Sequence, residues 1–429
     1  MVITKPRGTT DNFYEIDGSF DIVVNMVKML AKLNGYYEIV TPMFESVDVF
    51  KRTIGQTSDI VNKEFYDFID KGERHMVLRP EMTASIARAI VENKILDKQS
   101  LPFRCFYTGP MFRYERPQSG RLRQFNQFGI ECIGTDNYYD DIECLLFAIS
   151  ILESFHYNSY IIKINNICGA ETRKKWIEEL KKYFDNYKDK LSEDSLNRLN
   201  KNPLRILDDK VDGKKDFVIN APKIKHFAIK EELDYFEKIQ TGLKLLKINY
   251  VVDETLVRGL DYYNNFIFEI ESTSKNLEGQ PTLIGGGRYN SLFEEFGSKP
   301  VGAVGFAMGI ERLLIALEDN EVLNSYKQKY KSCDIVIANI SPETNLVAVI
   351  LARMLRMSGI SCICNHSTRK LDKQFKLAKN ANAKFVIILG PEEIKKEVLL
   401  VKDQLTMKQD EVKVDNLVEY LTQKIGKVR

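Results

Sequence analysis

The stretch Phe103–Gly134 reads FRCFYTGPMFRYERPQSGRLRQFNQFGIECIG. Its alternation fixes two strand-like arms joined by a charged loop, Glu115 to Arg123, that holds Pro117 and Gly120. Successive side chains of a strand point to opposite faces. In the first arm Met111, Arg113 and Glu115 therefore share a face, and Phe112 and Tyr114 take the other. In the second arm Arg123, Phe125, Gln127, Gly129 and Glu131 share a face, against Phe128, Ile130 and Cys132. A face carrying arginines, carboxylates and an amide is costly to bury without partners. It is either a solvated surface or a site. The apolar opposite face must be core, and the loop is basic, so a hairpin anchored in a core presents mixed charge suited to an anionic ligand with a polar amine.

The rest of the chain sets the frame. Its 429 residues are enough for two or three domains, and 44% apolar with 28% charged residues is ordinary for a globular protein. No apolar run approaches the roughly 18 residues that span a bilayer, and the opening MVITKPRGTTDN lacks the apolar core of a signal peptide. The expectation is a cytoplasmic protein with no membrane partner. The seven cysteines (Cys105, Cys132, Cys144, Cys168, Cys333, Cys362 and Cys364) form no CxxC pair and read as buried thiols in a reducing compartment. The four histidines have no zinc-site spacing, so no metal held by protein side chains is expected. Residues 331–429 carry 17 basic against 11 acidic residues, a balance of +6, while the remainder has 45 against 49, or −4. A basic C-terminal module suits a polyanionic partner, and a lysine-rich solvated surface gives the same count.

Outward from the hairpin, residues 19–34 hold an apolar helical stripe (Phe20, Val23, Val24, Val27, Leu30, Ala31), capped by Asp17 or Ser19 and stopped by Gly35. A strand Tyr36 to Thr41 ends at Pro42. This pair is core or a subunit interface. In His75–Ala84, HMVLRPEMTA, a short strand ends at Arg79-Pro80-Glu81, and Glu81 and Thr83 stand at a strand–helix junction, where capping is their usual task. Tyr139–Ser154 is helical in period. Residues 171–247 are lysine-rich, glycine-poor and helical, an inserted module with the only tryptophan, Trp176. Then VVDETLVRGLDYYNNFIFEI (251–270) places Arg258, Asp261, Tyr262 and Tyr263 beside Gly259, ahead of a strand. An arginine there exceeds the needs of packing and can meet a carboxylate or phosphate bidentately. IGGGRY (284–289) lacks the GxxxxGK[ST] of a P-loop, so its glycines read as close backbone approach, with Tyr289 pointing in. VGAVGFAMGIERLL (301–314) runs from strand into helix and carries Glu311 and Arg312. After a polar link, Glu318–Lys331, a strand–helix rhythm to residue 425 predicts a compact α/β module.

These stretches together resemble the class II aminoacyl-tRNA synthetases, and among them the histidyl-tRNA synthetases, over about residues 1–425. The helix and strand ending at Pro42 are similar to the first class motif, which builds the dimer interface. FRYE with its loop to RQF resembles the second, GFAMGIERLL the third. LVRGLDYY and GGGRY resemble two histidine-specific signatures. The implied fold class is α+β: an antiparallel-sheet catalytic domain over 1–325 with a helical insertion at about 171–247, plus a C-terminal α/β anticodon-binding domain over 331–429.

The resemblance implies a two-step reaction in a homodimer. L-histidine attacks the α-phosphate of ATP, with Mg2+ among the phosphates, giving histidyl-adenylate, and the 3′ end of tRNA(His) then takes the histidyl group. It assigns Arg113 to the α-phosphate, Glu115 to the adenine amine, Phe125 to stacking on adenine, and Arg121 and Arg312 to the γ-phosphate. Arg258 becomes a second cation near the α-phosphate and the histidine carboxylate; with Arg113 and Gln127 it forms the implied catalytic set. Glu81, Thr83 and Gln127 are to bind the α-ammonium, Glu131 and Tyr263 to bracket the imidazole, and Tyr262 and Tyr289 to line the pocket. A carboxylate and a phenol reading both ring nitrogens would reject an apolar isostere by about 10,000-fold or more. Arg116 and Gln118 match residues that meet the acceptor stem. Met82 and Ser85 depart from the family pattern after the glutamate, with an expected tightening of the pocket entrance, and Asn126 stands where many members have histidine. The alternative is a non-catalytic paralogue that regulates ATP phosphoribosyltransferase; it typically lacks the C-terminal module and degrades LVRGLDYY, and this chain keeps both. A protein that only binds tRNA is a further alternative, but it has no need of Arg113, Arg258 and Arg312 together.

Overall fold

A computed structural model of the chain describes residues 3–13, 17–54, 59–207, 209, 211–330, 333–364 and 370–426. The chain divides into two compact units, Met1–Leu323 and Asn324–Arg429.

The first unit is built on an eight-stranded sheet. Its strands are β1 (Tyr37–Glu38), β5 (Phe103–Phe112), β6 (Gln124–Ile133), β7 (Tyr160–Asn166), β8 (Val251–Val252), β9 (Asn264–Ser272), β10 (Thr282–Arg288) and β11 (Ala303–Gly309). A second, three-stranded sheet holds β2 (Phe44–Ser46), β3 (Tyr66–Ile69) and β4 (His75–Leu78). The large sheet runs β1-β5-β6-β11-β10-β9-β7-β8 and is antiparallel except for its outermost pairs, β1 with β5 and β7 with β8. Parallel neighbours need a crossover rather than a tight turn, and the expected insertion is that crossover, with helices from Ala170–Asp185 to Lys230–Leu245 between β7 and β8. The expected strand Tyr36 to Thr41 is shorter: only Tyr37–Glu38 pair in the ladder, with Ile39 N–H adding one bond to the Phe106 carbonyl (2.8 Å). At the first helix, Ser19–Leu33, the Asp17 carboxylate takes the Ser19 amide (3.0 Å) and hydroxyl (2.5 Å).

The hairpin holds one register from Phe103↔Ile133 to Phe112↔Gln124. Even-numbered residues face the core, where Phe128 and Phe306 meet Phe147 of the helix Tyr138–Ser154, with ring centroids 6.2 and 5.7 Å away, and Phe106 packs on Phe128 at 6.1 Å. Such tilted and edge-on pairs add to the burial of the rings. Odd-numbered residues form the other face. One row across five strands reads Tyr107, Gly129, Ala307, Gly285, Glu269. Three small residues between two large ones clear a trough in the sheet, and this is where the site lies.

The second unit has a five-stranded sheet ordered β13-β12-β14-β15-β16, with β12 (Ile335–Asn339), β13 (Cys362–Cys364) and β14 (Phe385–Leu389) parallel and β15 (Val398–Asp403) and β16 (Gln409–Lys413) antiparallel. Its core includes Ile335, Ile337, Leu351, Leu355, Ile387 and Leu421. The segment expected to be a polar link is instead mostly the helix Glu321–Tyr330; the Asn320 side chain accepts from the Leu323 amide (2.9 Å) and Leu323 is buried, which starts a helix where a free linker was expected. Its last expected residue, Lys331, lies outside the described residues. Cys105, Cys132, Cys144, Cys168, Cys333 and Cys362 are buried thiols outside any disulfide.

Candidate active site

The trough opens into a cavity of about 260 Å3. Its walls include Glu81, Thr83, Arg113, Glu115, Arg121, Phe125, Gln127, Arg258, Tyr262, Tyr263 and Arg312, so eleven residues singled out in the sequence meet in one place. They come from distant segments: the turn into the helix Thr83–Glu92, the loop end of the hairpin, the loop before β9, and the helix Ile310–Ala316 that follows β11. The charged hairpin face is not a solvated surface: Glu131 is 1% exposed and Gln127 and Glu115 are 9% exposed.

One end of the cavity is cationic. Arg113 lies over the Phe125 ring, 5.2 Å from its centroid, and its Nε donates to the Pro80 carbonyl (2.9 Å). Arg312 is fixed by three acceptors: the Gly120 carbonyl (2.8 Å), the Thr282 carbonyl (3.0 Å) and Gln280 Oε1 (3.3 Å). Burial pulls the Arg312 guanidinium below its ordinary value, and the neighbouring charges of Arg113 and Arg121 pull it the same way, with Glu115 and Glu269 opposing. Cations crowded against one another in a low dielectric favour an anion among them. Arg121 is ion-paired with Glu115.

Arg258 stands over the middle of the trough. It pairs with Glu269, whose other oxygen accepts from Thr282 Oγ1 (3.0 Å), and it lies 5.6 Å from the Tyr263 ring centroid. Burial depresses Arg258, but the Glu269 carboxylate outweighs this and holds it above its ordinary value. Gly285 makes this possible: a Cβ there would sit within 2.6 Å of the guanidinium carbon. The GGGRY glycines are thus a close approach, as their spacing implied.

The other end is lined by acceptors. Glu81 takes the amides of Thr83 (2.7 Å) and Ala84 (2.9 Å), so it does cap the helix, while still lining the cavity. Burial raises the Glu81 carboxyl, against those amides and Arg113. Among the described residues Gln127 Oε1 is buried without a donor, an unmet acceptor that a ligand N–H would satisfy. Beneath the wall, Glu131 accepts from Thr83 Oγ1 (2.8 Å) and from the Tyr289 hydroxyl. Burial pushes Glu131 up to about 8, against those two donors, with Glu81 adding to the rise. Gly305 sits opposite Glu131, and a Cβ there would come within 2.9 Å of its carboxyl carbon. Tyr262, Tyr263 and Tyr289 pack mutually, with centroids 4.8–6.5 Å apart. Glu131 and Tyr289 therefore form the floor rather than the wall.

Arg116 and Gln118 lie outside this cluster, exposed on the hairpin loop, where Gln118 and Arg121 close a tight turn. Met82 and Ser85 are buried behind the wall, with Thr41 Oγ1 donating to Met82 Sδ (3.4 Å), so they do not stand at the cavity mouth. Asn126 holds Glu311: its amide (2.9 Å) and its side chain (2.8 Å) both donate to that carboxylate. The sequence reading missed Tyr107, which leans over Gly129 beside the two buried carboxylates, and Glu269, the partner of Arg258. Strand alternation could have found Glu269, because it faces the same way as Ile267 and Glu271.

An antiparallel sheet carrying an arginine-lined trough, with these motifs on its hairpin and its last strand–helix turn, defines a class II aminoacyl-tRNA synthetase. The histidyl-tRNA synthetase family model matches residues 21–313, and an anticodon binding domain model matches 334–424. A histidine–tRNA ligase of Malacoplasma penetrans is 47% identical over 97% of this chain and 97% of its own length. One from Oceanobacillus iheyensis is 42% identical over 99% of each. The apo histidyl-tRNA synthetase of S. aureus superposes with a TM-score of 0.80 at 34% identity, over 98% of this chain and 100% of that one. The chain belongs to the histidyl-tRNA synthetase family, and its reaction is the ATP-dependent ligation of histidine to tRNA, not the regulatory role of the paralogue.

Proposed function

We propose that the residues of the trough divide the ligase reaction between its two ends. Arg113 and Arg258 neutralise the α-phosphate as the histidine carboxylate attacks it, where charge builds in the transition state. Arg312 and Arg121 hold the γ-phosphate, and Phe125 stacks on adenine with Glu115 accepting its amine. Glu81, Thr83 and Gln127 hold the α-ammonium, and Glu131 with Tyr263 reads the imidazole, backed by Tyr262 and Tyr289. The observation that carries this reading is that an arginine cluster and the buried, unmet Gln127 oxygen line one cavity. The Arg121–Glu115 pair must part for both residues to take these roles.

Among the described residues no three His, Cys, Asp or Glu side chains gather where an ion could sit. In the proposed reaction Mg2+ enters as the counter-ion of ATP. Arg116 and Gln118, exposed on the loop, are free to meet the acceptor stem of tRNA(His). Homodimerisation is supported by an apolar run that the first unit leaves exposed, with Tyr37 77%, Val40 79% and Phe44 56% exposed. Light scattering at the mass of one chain would end that part of the proposal. No helix of the described residues is long and apolar enough to cross a membrane, which fits a cytoplasmic enzyme.

The test is histidine-dependent ATP–pyrophosphate exchange. Wild-type protein exchanges only with histidine present, and Arg258→Ala lowers kcat by roughly 100-fold or more with a much smaller change in histidine KM, as loss of a transition-state contact requires. Exchange no higher than in a histidine-free control removes the proposal. Because Arg258→Ala also strands Glu269, the double variant Arg258→Ala with Glu269→Gln must show the same kcat defect.

A further inference from the structure

The loop 253–263 carries Arg258, Tyr262 and Tyr263 and has no regular structure. Side chains that must sit within a fraction of an ångström of their place need a rigid support, and this loop takes its support from elsewhere. Its first half is tied by Asn165 Nδ2 to the Leu256 carbonyl (2.9 Å). Its second half is tied to the helical insertion. Arg173, on the helix Ala170–Asp185, donates to the Tyr263 carbonyl (2.6 Å) and reaches the Asp261 carbonyl at 3.4 Å. Asn202 Nδ2 meets Asp261 Oδ1 at 3.4 Å. A Cβ on Gly259 would touch the Arg205 guanidinium at 3.5 Å. The amide of Asp261 adds a long bond to the Ile54 carbonyl (3.4 Å).

Between these groups lies a gap of about 20 Å3, walled by Arg173, Trp176, Asn202 and Asp261 and touching Arg258. It has room for little beyond one water, so it is a packed joint and not a ligand site. Trp176 closes the joint from the module side, buried, with its Nε1 donating to the Pro222 carbonyl (2.6 Å). Burial raises the Asp261 carboxyl, and the guanidiniums of Arg205 and Arg173 oppose that rise, so both cations bear on the same loop.

We infer that Arg173 is a positioning residue for histidine activation: by bridging the main chain of Asp261 and Tyr263 it sets the two tyrosines of the histidine pocket, and it makes the inserted module part of the catalytic machinery. This rests on the assignment of Tyr262 and Tyr263 to that pocket. Both bonds come from one nitrogen, Nη1, whose two N–H groups can serve two carbonyls at once. Its bonds fall on the chain beyond Arg258, which is held separately by Glu269, so its effect falls on the histidine end of the trough.

The test compares Arg173→Ala and Arg173→Lys in the exchange assay, with direct histidine binding followed by calorimetry and folding by circular dichroism. Misplacing a binding group by about an ångström costs on the order of 100-fold. Arg173→Ala should therefore lose roughly 30- to 100-fold in kcat/KM for histidine, with histidine binding weakened in parallel and the ATP KM unchanged. Arg173→Lys, which keeps a donor of similar reach, should recover most of that loss. A folded Arg173→Ala protein with wild-type histidine parameters overturns the inference. So does a loss shared equally by histidine and ATP that lysine does not rescue, since that is the mark of general loosening. If Arg173→Ala does not fold, Asn202→Ala decides: a smaller, histidine-selective loss supports the inference and its absence overturns it. A wild-type protein that fails to exchange would instead strike at the proposed site, which separates the two failures.

Discussion

Glu131 sits at the floor of the trough among groups that pull it in opposite directions. Thr83 and Tyr289 donate to its oxygens and favour the carboxylate, while burial favours the acid and wins, lifting it to about 8. Free imidazole titrates near 6.5, so over the range between the two values histidine arrives neutral at a protonated Glu131. A group that must accept an imidazole N–H works only once its own proton has left. The profile of kcat/KM reports ionisations of the free enzyme, so kcat/KM for histidine should climb with pH and level off above about 8, and Glu131→Gln should be low and lack that rise. A wild-type profile that is flat from pH 6.5 to 9 would remove Glu131 from the imidazole contact. The same shift has a stability side. A carboxyl raised in the folded state binds its proton more tightly than in the unfolded chain, so its contribution is full below its ordinary value, near 4.5, and is lost as pH rises towards 8. Glu131→Gln should flatten that part of the stability profile.

The end of β10 shows how an element is held where its neighbour residue must act. Arg288 precedes Tyr289 and is buried on the core side, where its Nε reaches both oxygens of Asp141 (2.9 and 3.2 Å) and its other nitrogens donate to the Thr135 (2.5 Å) and Asn137 (3.2 Å) carbonyls. Tyr235, from the last helix of the insertion, also donates to Asp141. One ion pair thus pins a strand, the helix Tyr138–Ser154 and the insertion together. Removing one partner of a buried pair leaves the other charge uncompensated, at a cost of about 3–5 kcal/mol. Asp141→Ala should therefore lower the urea midpoint of the first unit sharply, whereas Tyr235→Phe, which removes one hydrogen bond, should cost about 1 kcal/mol. Equal effects of the two would mean that the pair is not what fastens these elements. None of this was visible in the sequence beyond the arginine after three glycines, because Asp141 and Arg288 are 147 residues apart. What was visible obeys short-range rules: the alternation of the hairpin, the helical stripe after Ser19, the glycine-lined approach of β10. The segment Gln409–Lys413 escaped because four of its five residues are exposed, so no apolar alternation marks it as a strand.

At the scale of the whole molecule, each unit closes its own core. The apolar cluster under the trough draws on residues between Met82 and Ala303, and the clusters of the second unit draw only on residues from Ile335 to Leu421. Both units are well above the size at which a single core is marginal. Two independent cores suit a division of labour: the first unit contains every residue proposed to touch ATP or histidine, and the second is the anticodon-binding domain. Its basic excess, ambiguous as a count, thereby gains a polyanionic partner of known kind. Contacts to a phosphate backbone weaken with salt, so the two steps should respond differently to loss of this unit. A chain truncated after Tyr330 should keep ATP–pyrophosphate exchange within a few-fold of the intact enzyme. Its charging of tRNA should fall by roughly 100-fold or more, as loss of two or more charged contacts of about 1.5–3 kcal/mol each allows. The residual charging should also depend less steeply on salt than that of the intact enzyme, because fewer cations meet the tRNA. Exchange and charging falling by the same factor in a folded truncation would mean that the second unit supports the catalytic one structurally. An unchanged salt dependence would mean that the lost unit carried none of the phosphate contacts.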